Sequence, residues 1–414
     1  MRELRDQGFS QAYALKGGFV EWVKAGYPTE RKNHVQDSCV TCHEQVSPNI
    51  VREWKQSAHS TELNAVSCSV CHGQEHRSVQ DVHKARAVPE KVCRTCHEKE
   101  YVQFSQGKHA TAWKSMRAWP DFHHPLNTQG KKRECTHCHS IGFKTREEIK
   151  ILRSKDHPTG AASCNNCHTG HTYSLHEARQ PEACQPCHQG PFTPHYQAYA
   201  GSKHARLFPV PSDLSSKNGI QFPSCQNCHF PEAMHGVHTS WGSLGLRLPW
   251  PKDAKWAVAR RNIMQALGLY SPQGEPTVRF SLIPELQLMT LSQARWTFRR
   301  NRMQGTCMHC HDSGFASDQL DQADTILRQS DLLMSQGINL VKEMGRSGNL
   351  GRPAEPTYVP DIGTYADQNS PEEKLVYRMF HIHRAQAWQG AFHSNWDMAR
   401  KGLERMKGSL RKLQ

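Results

Sequence analysis

The cysteines of this chain constrain its fold more than any other feature. The 16 cysteines form eight Cys-x-x-Cys pairs, and a histidine directly follows every pair. Two thiols at this spacing can bond the two vinyl groups of a haem, and the next imidazole can reach the iron. Zinc half-sites and redox disulfides also use Cys-x-x-Cys pairs, but neither requires the histidine. The pattern therefore predicts eight covalently bound c-type haems.

The eight motifs supply the haem-attaching cysteines and one iron ligand for each haem. Histidine makes up only 27 of the 414 residues, so its presence after every pair is not a chance event. The predicted attachment residues are Cys39, Cys42, His43, Cys68, Cys71, His72, Cys93, Cys96, His97, Cys135, Cys138, His139, Cys164, Cys167, His168, Cys184, Cys187, His188, Cys225, Cys228, His229, Cys307, Cys310 and His311.

Histidines outside the motifs are candidates for the second axial ligand of each iron. There are more of them than eight haems could use, so a lone histidine is not diagnostic, and a surface or propionate-bonding role is the alternative for each. The sequence does not pair these histidines with particular motifs. The contexts best suited to ligation are those of His59, His76, His109, His124, His157, His171, His204, His235 and His393.

Composition favours an all-α multihaem cytochrome c with a haem-stacked core and long C-terminal helices. Only 36% of the residues are hydrophobic and the mean hydropathy is -0.74, which predicts a poor core for so long a chain. Haems would supply the missing apolar material. The 15 residues between His168 and Cys184 leave room for a helix or a loop but not for a sheet.

The charge of the chain does not indicate nucleic-acid binding. The formal net charge is +14, but a ferric haem with two imidazole ligands and ionised propionates contributes about −1, so eight haems would leave roughly +6. No nucleic-acid-binding module is recognisable. No apolar run is long enough to span a membrane. Covalent haem attachment predicts the periplasm or an equivalent compartment, with a leader removed or omitted, because the first residues do not resemble a signal peptide.

Motif spacing predicts three parts: an N-terminal segment 1–38, an octahaem-binding domain 39–315 and a C-terminal helical assembly domain 316–414. Apolar residues from Leu320 to Leu340 follow a helical period. The stretch after Ser370 begins with Pro371 and Glu372, which is typical of a helix start. It predicts one helix of some 40 residues, about 60 Å long. Such helices would pack against copies of themselves or against each other, and we expect the C-terminal helices to mediate assembly.

The order of the motifs and of the segments between them resembles hydroxylamine oxidoreductase from about Cys39 to His393. The last five motifs also resemble the pentahaem nitrite reductases. The segments that carry the resemblance are Cys71–His76, Cys167–Ser174, Glu177–His188, Ser202–Ala205, His235–Gly236, Leu246–Pro249 and Gln389–His393.

The resemblance implies a homotrimer with seven bis-histidine haems and one open catalytic haem at the fourth motif, which is Cys135, Cys138 and His139. The family also carries an Asp-His pair after the sixth motif, in a "GFDHPQ" context. Here those positions are Phe192 and Thr193. His195 and Tyr196 follow closely, and we expect one of them to donate protons, with an exposed loop residue as the alternative for His195.

A second departure from the family concerns the direction of the reaction. In the oxidising members a tyrosine within "NPDY" bonds covalently to the catalytic haem of a neighbouring subunit. Met398 stands at that position here, and no tyrosine follows Tyr377. We therefore expect a reductase that converts nitrite to nitric oxide, hydroxylamine or ammonium, served by a small cytochrome c. The alternatives are an electron-transfer conduit without catalysis, and hydroxylamine or hydrazine oxidation.

Overall fold

A computed structural model describes most of the chain from residue 38 onward. The described residues are 38–61, 65–85, 88–117, 138–154, 163–207, 223–237, 239, 241–242, 244–280, 291–363 and 370–414. The predicted N-terminal segment lies outside the described residues apart from its last residue. Cys135, His124 and His157 also lie outside them.

Residues 38–237 form short helices joined by loops. The α-helices are α1 (Ser38–Val46), α2 (Pro48–Gln56), α3 (Cys68–His72), α4 (Glu90–Arg94), α5 (Glu98–Ser105), α6 (Ala112–Arg117), α7 (Arg146–Ser154), α8 (Leu175–Ala178), α9 (His195–Ala200), α10 (Lys203–Leu207) and α11 (Cys225–His229). Single 3-10 turns cover Ala58–Ser60, Val79–Lys84, Cys164–Asn166, Pro181–Ala183 and Pro231–Ala233. We call residues 38–237 the haem region because they hold seven of the eight motifs.

Longer helices dominate the rest of the chain, which we call the helical region (residues 241–414). They are α12 (Ala254–Ala266), α13 (Gln293–Cys307), α14 (Ser313–Ser347), α15 (Pro371–Arg378), a π-helical segment (Met379–Arg384), α16 (Ala385–Phe392) and α17 (Trp396–Leu413). No β-strand occurs among the described residues. The prediction of an all-α fold is confirmed.

Helix α14 is the longest element and has a defined start and end. Asp312 caps its first turn by accepting a hydrogen bond from the Phe315 backbone nitrogen at 2.9 Å. Gly348 ends it in the left-handed conformation, with φ +79°. Its 35 residues span about 52 Å. It packs against α12, α16 and α17 of the same chain.

The C-terminal prediction of one 40-residue helix is wrong, because the chain reverses direction at His393–Asn395. Ser394 adopts a left-handed conformation, with φ +57°, and the Asn395 side chain caps α17 by accepting from the Met398 nitrogen at 3.1 Å. Helices α16 and α17 then pack antiparallel at close range. A Cβ on Gly402 would lie 2.5 Å from the backbone nitrogen of Ala387, so only glycine fits there.

The hydrophobic clusters of the described residues lie in the helical region. The largest cluster contains Leu246, residues of α12, residues of α14 and residues of the C-terminal helices. By contrast, the haem region contributes few buried hydrophobic residues, namely Val51, Ala110, Trp113, Ile141 and Ala198. The predicted domain boundary after residue 315 stays a prediction.

A buried ionic group connects the helices of this cluster. Asp331 of α14 accepts hydrogen bonds from Arg384 Nε at 2.8 Å and from Trp256 Nε1 at 2.8 Å. Arg260 approaches the same carboxylate at 4.0 Å and donates to the Leu246 carbonyl oxygen. The arrangement fixes α12, α14 and the π-helical segment in register. None of the helices described is long and apolar enough to cross a bilayer.

Candidate functional site

Seven motif histidines each face one histidine from elsewhere in the chain. The separation between ring centroids is 6.1–6.2 Å in every pair, whereas the angle between ring planes varies from 22° to 76°. In motif order, the pairs are His43–His76, His72–His171, His97–His59, His168–His235, His188–His109, His229–His393 and His311–His204.

This combination of a constant distance and a variable angle fits two imidazoles that bind one iron atom from opposite sides. Two metal–nitrogen bonds of about 2 Å, placed in line, fix the separation of the rings. Each ring still rotates freely about its own bond, so the interplanar angle is not fixed. The seven non-motif histidines in these pairs are all among the nine expected from sequence.

Fourth-motif His139 differs from the other seven motif histidines. Its Nδ1 lies 2.8 Å from the Ala112 carbonyl oxygen, to which it donates, so Nε2 is the nitrogen available to a metal. No imidazole of the described residues stands opposite this ring at the separation found in the seven pairs. Backbone contacts hold the motif against α6: a Cβ on Gly142 would lie 2.2 Å from the Trp113 nitrogen, and Phe143 donates to the Ala110 carbonyl oxygen at 2.9 Å.

One connected cavity of 3790 Å³ links the motifs. All eight motif histidines line it, as do the seven histidines opposite them and every described motif cysteine except Cys42. Sulfur contacts show which motifs adjoin. Cys138 Sγ of the fourth motif lies 3.9 Å from the Cys187 carbonyl oxygen of the sixth. The cavity therefore has the extent and the lining that a series of covalently attached haems requires.

Several of the paired imidazoles have hydrogen-bond partners that would strengthen them as ligands. His76 Nδ1 lies 3.0 Å from Asp81 Oδ1, and the Arg77 and Ser78 backbone nitrogens donate to the same oxygen. These backbone bonds, together with His76, lower the pKa of the Asp81 carboxyl. His393 Nδ1 donates to the Gln389 carbonyl oxygen at 2.8 Å. Such bonds hold each ring in one tautomer, with Nε2 directed away from the partner.

A buried cation on the cavity wall gives a further test of whether the residues around the cavity fit haem. Arg247 is 1% exposed, and Nε and both terminal nitrogens of its guanidinium are buried without a hydrogen-bond partner in the described protein. Burying a charged group without partners is costly. Carboxylate groups such as haem propionates would satisfy these donors, so the residues present fit the cofactor.

The predicted proton donors His195 and Tyr196 lie beside the sixth and seventh motifs. The His195 ring is 4.9 Å from that of His188 and 6.2 Å from that of His393. Its Nε2 accepts from the Gln389 amide at 2.7 Å. Burial lowers the pKa of His195 well below its usual value, and the neighbouring His188 and His393 act in the same direction.

Tyr196 points toward a carboxylate at the surface. Its hydroxyl donates to Glu182 at 3.1 Å. Burial, and then Glu182, raise the pKa of this hydroxyl. Ring contacts connect neither His195 nor Tyr196 to His139 within the described residues. Their assignment as proton donors stays a prediction.

The structure brings a histidine that the sequence did not single out to the segment after the sixth motif. Thr193 Oγ1 donates to the Cys187 carbonyl oxygen at 3.2 Å, the same oxygen that Cys138 Sγ approaches. The neighbouring Phe192 ring lies 6.1 Å from the His381 ring. His381 is buried in the π-helical segment, and its Nε2 donates to the Ile362 carbonyl oxygen at 2.7 Å.

No sequence signal marks His381, because its position depends on the π-helical geometry of residues 379–384. Segments of this kind are frequent at functional sites.

Two family descriptions match the chain. "Seven times multi-haem cytochrome CxxCH" matches residues 64–241, and "Cytochrome c554 and c-prime" matches residues 18–73. A curated relative from Kuenenia stuttgartiensis, described as a probable nitrite reductase-hydroxylamine oxidoreductase fusion protein, is 24% identical over 339 residues. The match covers 71% of this chain but only 36% of that relative, so the chain spans about a third of its length.

Solved structures share the fold. One is a chain of the reducing HAO-like protein complex of Kuenenia stuttgartiensis, with a TM-score of 0.66 and 20% identity, covering 94% of this chain and 87% of the other. Another, described as a hypothetical multiheme protein, has a TM-score of 0.61 and 19% identity over 92% of this chain and 96% of the other. The resemblance noted in the sequence is confirmed at the level of fold.

Proposed function

We propose that this chain, which resembles multihaem cytochromes c of the hydroxylamine oxidoreductase-like type, is an octahaem oxidoreductase that reduces nitrite at the fourth motif. The products would be nitric oxide, hydroxylamine or ammonium. One observation carries this proposal: seven motif histidines face a second imidazole, and among the described residues His139 does not.

The chain would hold its cofactors with residues of two kinds. The motif cysteines attach each haem, and the motif histidines with the seven opposing imidazoles hold the iron. When bound, a c-type haem with two imidazole ligands transfers electrons, and one with a single imidazole can also bind a small substrate. In the protein, the distribution of histidines would therefore separate electron transfer from substrate binding.

The positions of the motifs support delivery of electrons to the fourth. Cys138 Sγ lies 3.9 Å from the Cys187 carbonyl oxygen, and Gln226 Nε2, inside the seventh motif, lies 3.8 Å from Cys184 Sγ of the sixth. The fourth motif thus adjoins the sixth, and the sixth adjoins the seventh. We propose that a small cytochrome c supplies the electrons and that the chain works in the periplasm or an equivalent compartment, as a trimer or a larger complex.

Nitrite reduction also consumes protons, because oxygen leaves as water. The family's acid-base positions hold Phe192 and Thr193, so another residue must supply protons. His195 and Tyr196 are the donors expected from sequence. His381 is a third candidate, because its ring lies 6.1 Å from that of Phe192 and its imidazole is of the type that most often transfers protons in catalysis.

Met398 supports the reductive direction. It lies in the first turn of α17, where its nitrogen donates to Asn395, and a thioether cannot form the crosslink that the tyrosine of the oxidising enzymes makes. The catalytic haem would keep its ordinary conjugation. The two alternative functions are electron transfer without catalysis and the oxidation of hydroxylamine or hydrazine.

A rapid-mixing experiment separates these functions. Fully reduced protein is mixed with nitrite, and oxidised protein with hydroxylamine, while haem absorbance and products are followed. The proposal requires rapid reoxidation by nitrite, and one equivalent of cyanide should block it without preventing reduction by the electron donor. Rapid reduction by hydroxylamine with high turnover would instead support oxidation, and no reaction in either mixture would support the conduit.

A further inference from the structure

A cluster of four cationic side chains, Arg247, Arg295, Arg299 and Lys108, lies beside the haem cavity. Arg247 and Lys108 line the cavity. Burial lowers the pKa of Arg247 to about 10, and the charges of Arg299 and Arg295 contribute. Lys108 lies within range of the charges of Arg247, Arg299 and Arg295. Arg299 Nη1 donates to the carbonyl oxygen of Thr239 at 3.2 Å, which places this guanidinium against the segment that precedes Arg247 in the chain.

The Arg247 guanidinium needs an anion that the described residues do not provide. All three guanidinium nitrogens of Arg247 are buried and without a partner. Arg300, which follows Arg299 in the chain, pairs with the carboxylates of Asp321 and Asp324 at 2.6 and 2.8 Å. A buried guanidinium is stabilised by a carboxylate that accepts two parallel hydrogen bonds.

The position of the cluster indicates which carboxylates reach it. Lys108 precedes His109, which faces His188 of the sixth motif. A Cβ on Gly107 would lie 3.5 Å from Gly236 Cα, next to His235, which faces His168 of the fifth motif. The cluster thus lies where His109 and His235 come together. These are the histidines that face the motif histidines of the sixth and fifth motifs.

We propose that Arg247, supported by Arg299, Arg295 and Lys108, forms a carboxylate-binding site for the propionates of the haem at the fifth or sixth motif and favours the reduced state of that haem. The fork of donors on Arg247 matches a carboxylate in shape. Excess positive charge next to a haem stabilises the added electron. This inference depends on the haems but not on nitrite being the substrate.

A redox titration of the full haem-loaded protein, followed by haem-resolved spectroscopy, tests the site. Arg247→Gln should make reduction of one haem about tenfold less favourable, a fall of about 59 mV in its potential, while the other haems change little. Arg247→Lys keeps the charge and should lower the potential less. Arg261→Gln removes an equal charge from an exposed position of α12 and should change no haem potential.

A second variant keeps the proposal testable if Arg247→Gln does not fold. Arg299 is only partly buried, and Arg299→Gln should lower the potential of the same haem by a smaller amount. Unchanged potentials in folded Arg247→Gln and Arg299→Gln would overturn the proposal. So would a wild-type potential that shifts on addition of phosphate and no longer shifts in Arg247→Gln, because the site would then bind a free oxyanion instead of a propionate.

Discussion

The haem region and the helical region are stabilised in different ways. In the helical region, apolar side chains of α12, α14 and the C-terminal helices pack into clusters that need no cofactor. The haem region holds seven of the eight motifs around a large cavity, and few of the hydrophobic side chains described there are buried by protein. The same chain thus combines a protein core with a region whose core must be supplied by covalently bound haem.

The largest expected effect is the loss of the haem region when haem is withheld. We expect the chain produced without haem attachment to lose amide-exchange protection in residues 38–237, because little apolar surface would be buried there. Residues of α14 to α17 should keep protection, because their clusters are made of protein. Hydrogen-exchange mass spectrometry with and without haem measures both regions in one experiment. Equal loss of protection in the two regions would contradict the comparison.

The next effect concerns the buried carboxylate of the helical region. Asp331→Asn should lower the free energy of unfolding by about 3–5 kcal/mol, because Arg384 and Arg260 would be left buried without a counter-charge. Denaturant unfolding followed by circular dichroism measures the loss, and the haem absorbance of the folded variant should be unchanged. Asp397→Asn removes an exposed carboxylate of α17 and should leave the free energy of unfolding as it is. A stable Asp331→Asn variant would show that the ionic group does not fix the helices.

Proton delivery gives a smaller effect, confined to turnover. We expect His381→Gln to lower the nitrite turnover rate roughly 100-fold, the size expected for loss of a general acid. Reduction of the haems by an electron donor should not change. His195→Ala and Tyr196→Phe test the two donors expected from sequence, and the exposed His176→Gln serves as the control. Loss of one ionisation from the pH profile of turnover in His381→Gln would separate proton donation from a structural role. Full activity of His381→Gln would exclude it as the donor.

The smallest predicted effect is on a single haem potential. Asp81→Asn removes the negative charge next to His76 but keeps an oxygen that can accept a hydrogen bond. The imidazole becomes a weaker electron donor, so the potential of the first-motif haem should rise, on the order of 20 mV. Potentiometric titration measures the shift, with the exposed Glu98→Gln as the control. A fall in the potential would contradict this role for Asp81.

The sequence indicates the attachment sites more directly than the architecture. A Cys-x-x-Cys-His motif is local, so its chemistry is visible without the fold. The pairing of His229 with His393 joins residues far apart in sequence, and it depends on the reversal at Ser394. That reversal contains no glycine or proline, and the only local signal is Asn395, a residue common at helix starts. The absence of glycine and proline at this reversal explains why one continuous helix was expected.

The central claim, that one haem of eight is open and lies at the fourth motif, is tested most directly by electron paramagnetic resonance of the ferric protein during a cyanide titration. Seven imidazole pairs should give low-spin signals, and the haem attached at Cys135 and Cys138 should give one high-spin signal. One cyanide per chain should bind and remove that signal. Eight low-spin haems that bind no cyanide would contradict the account.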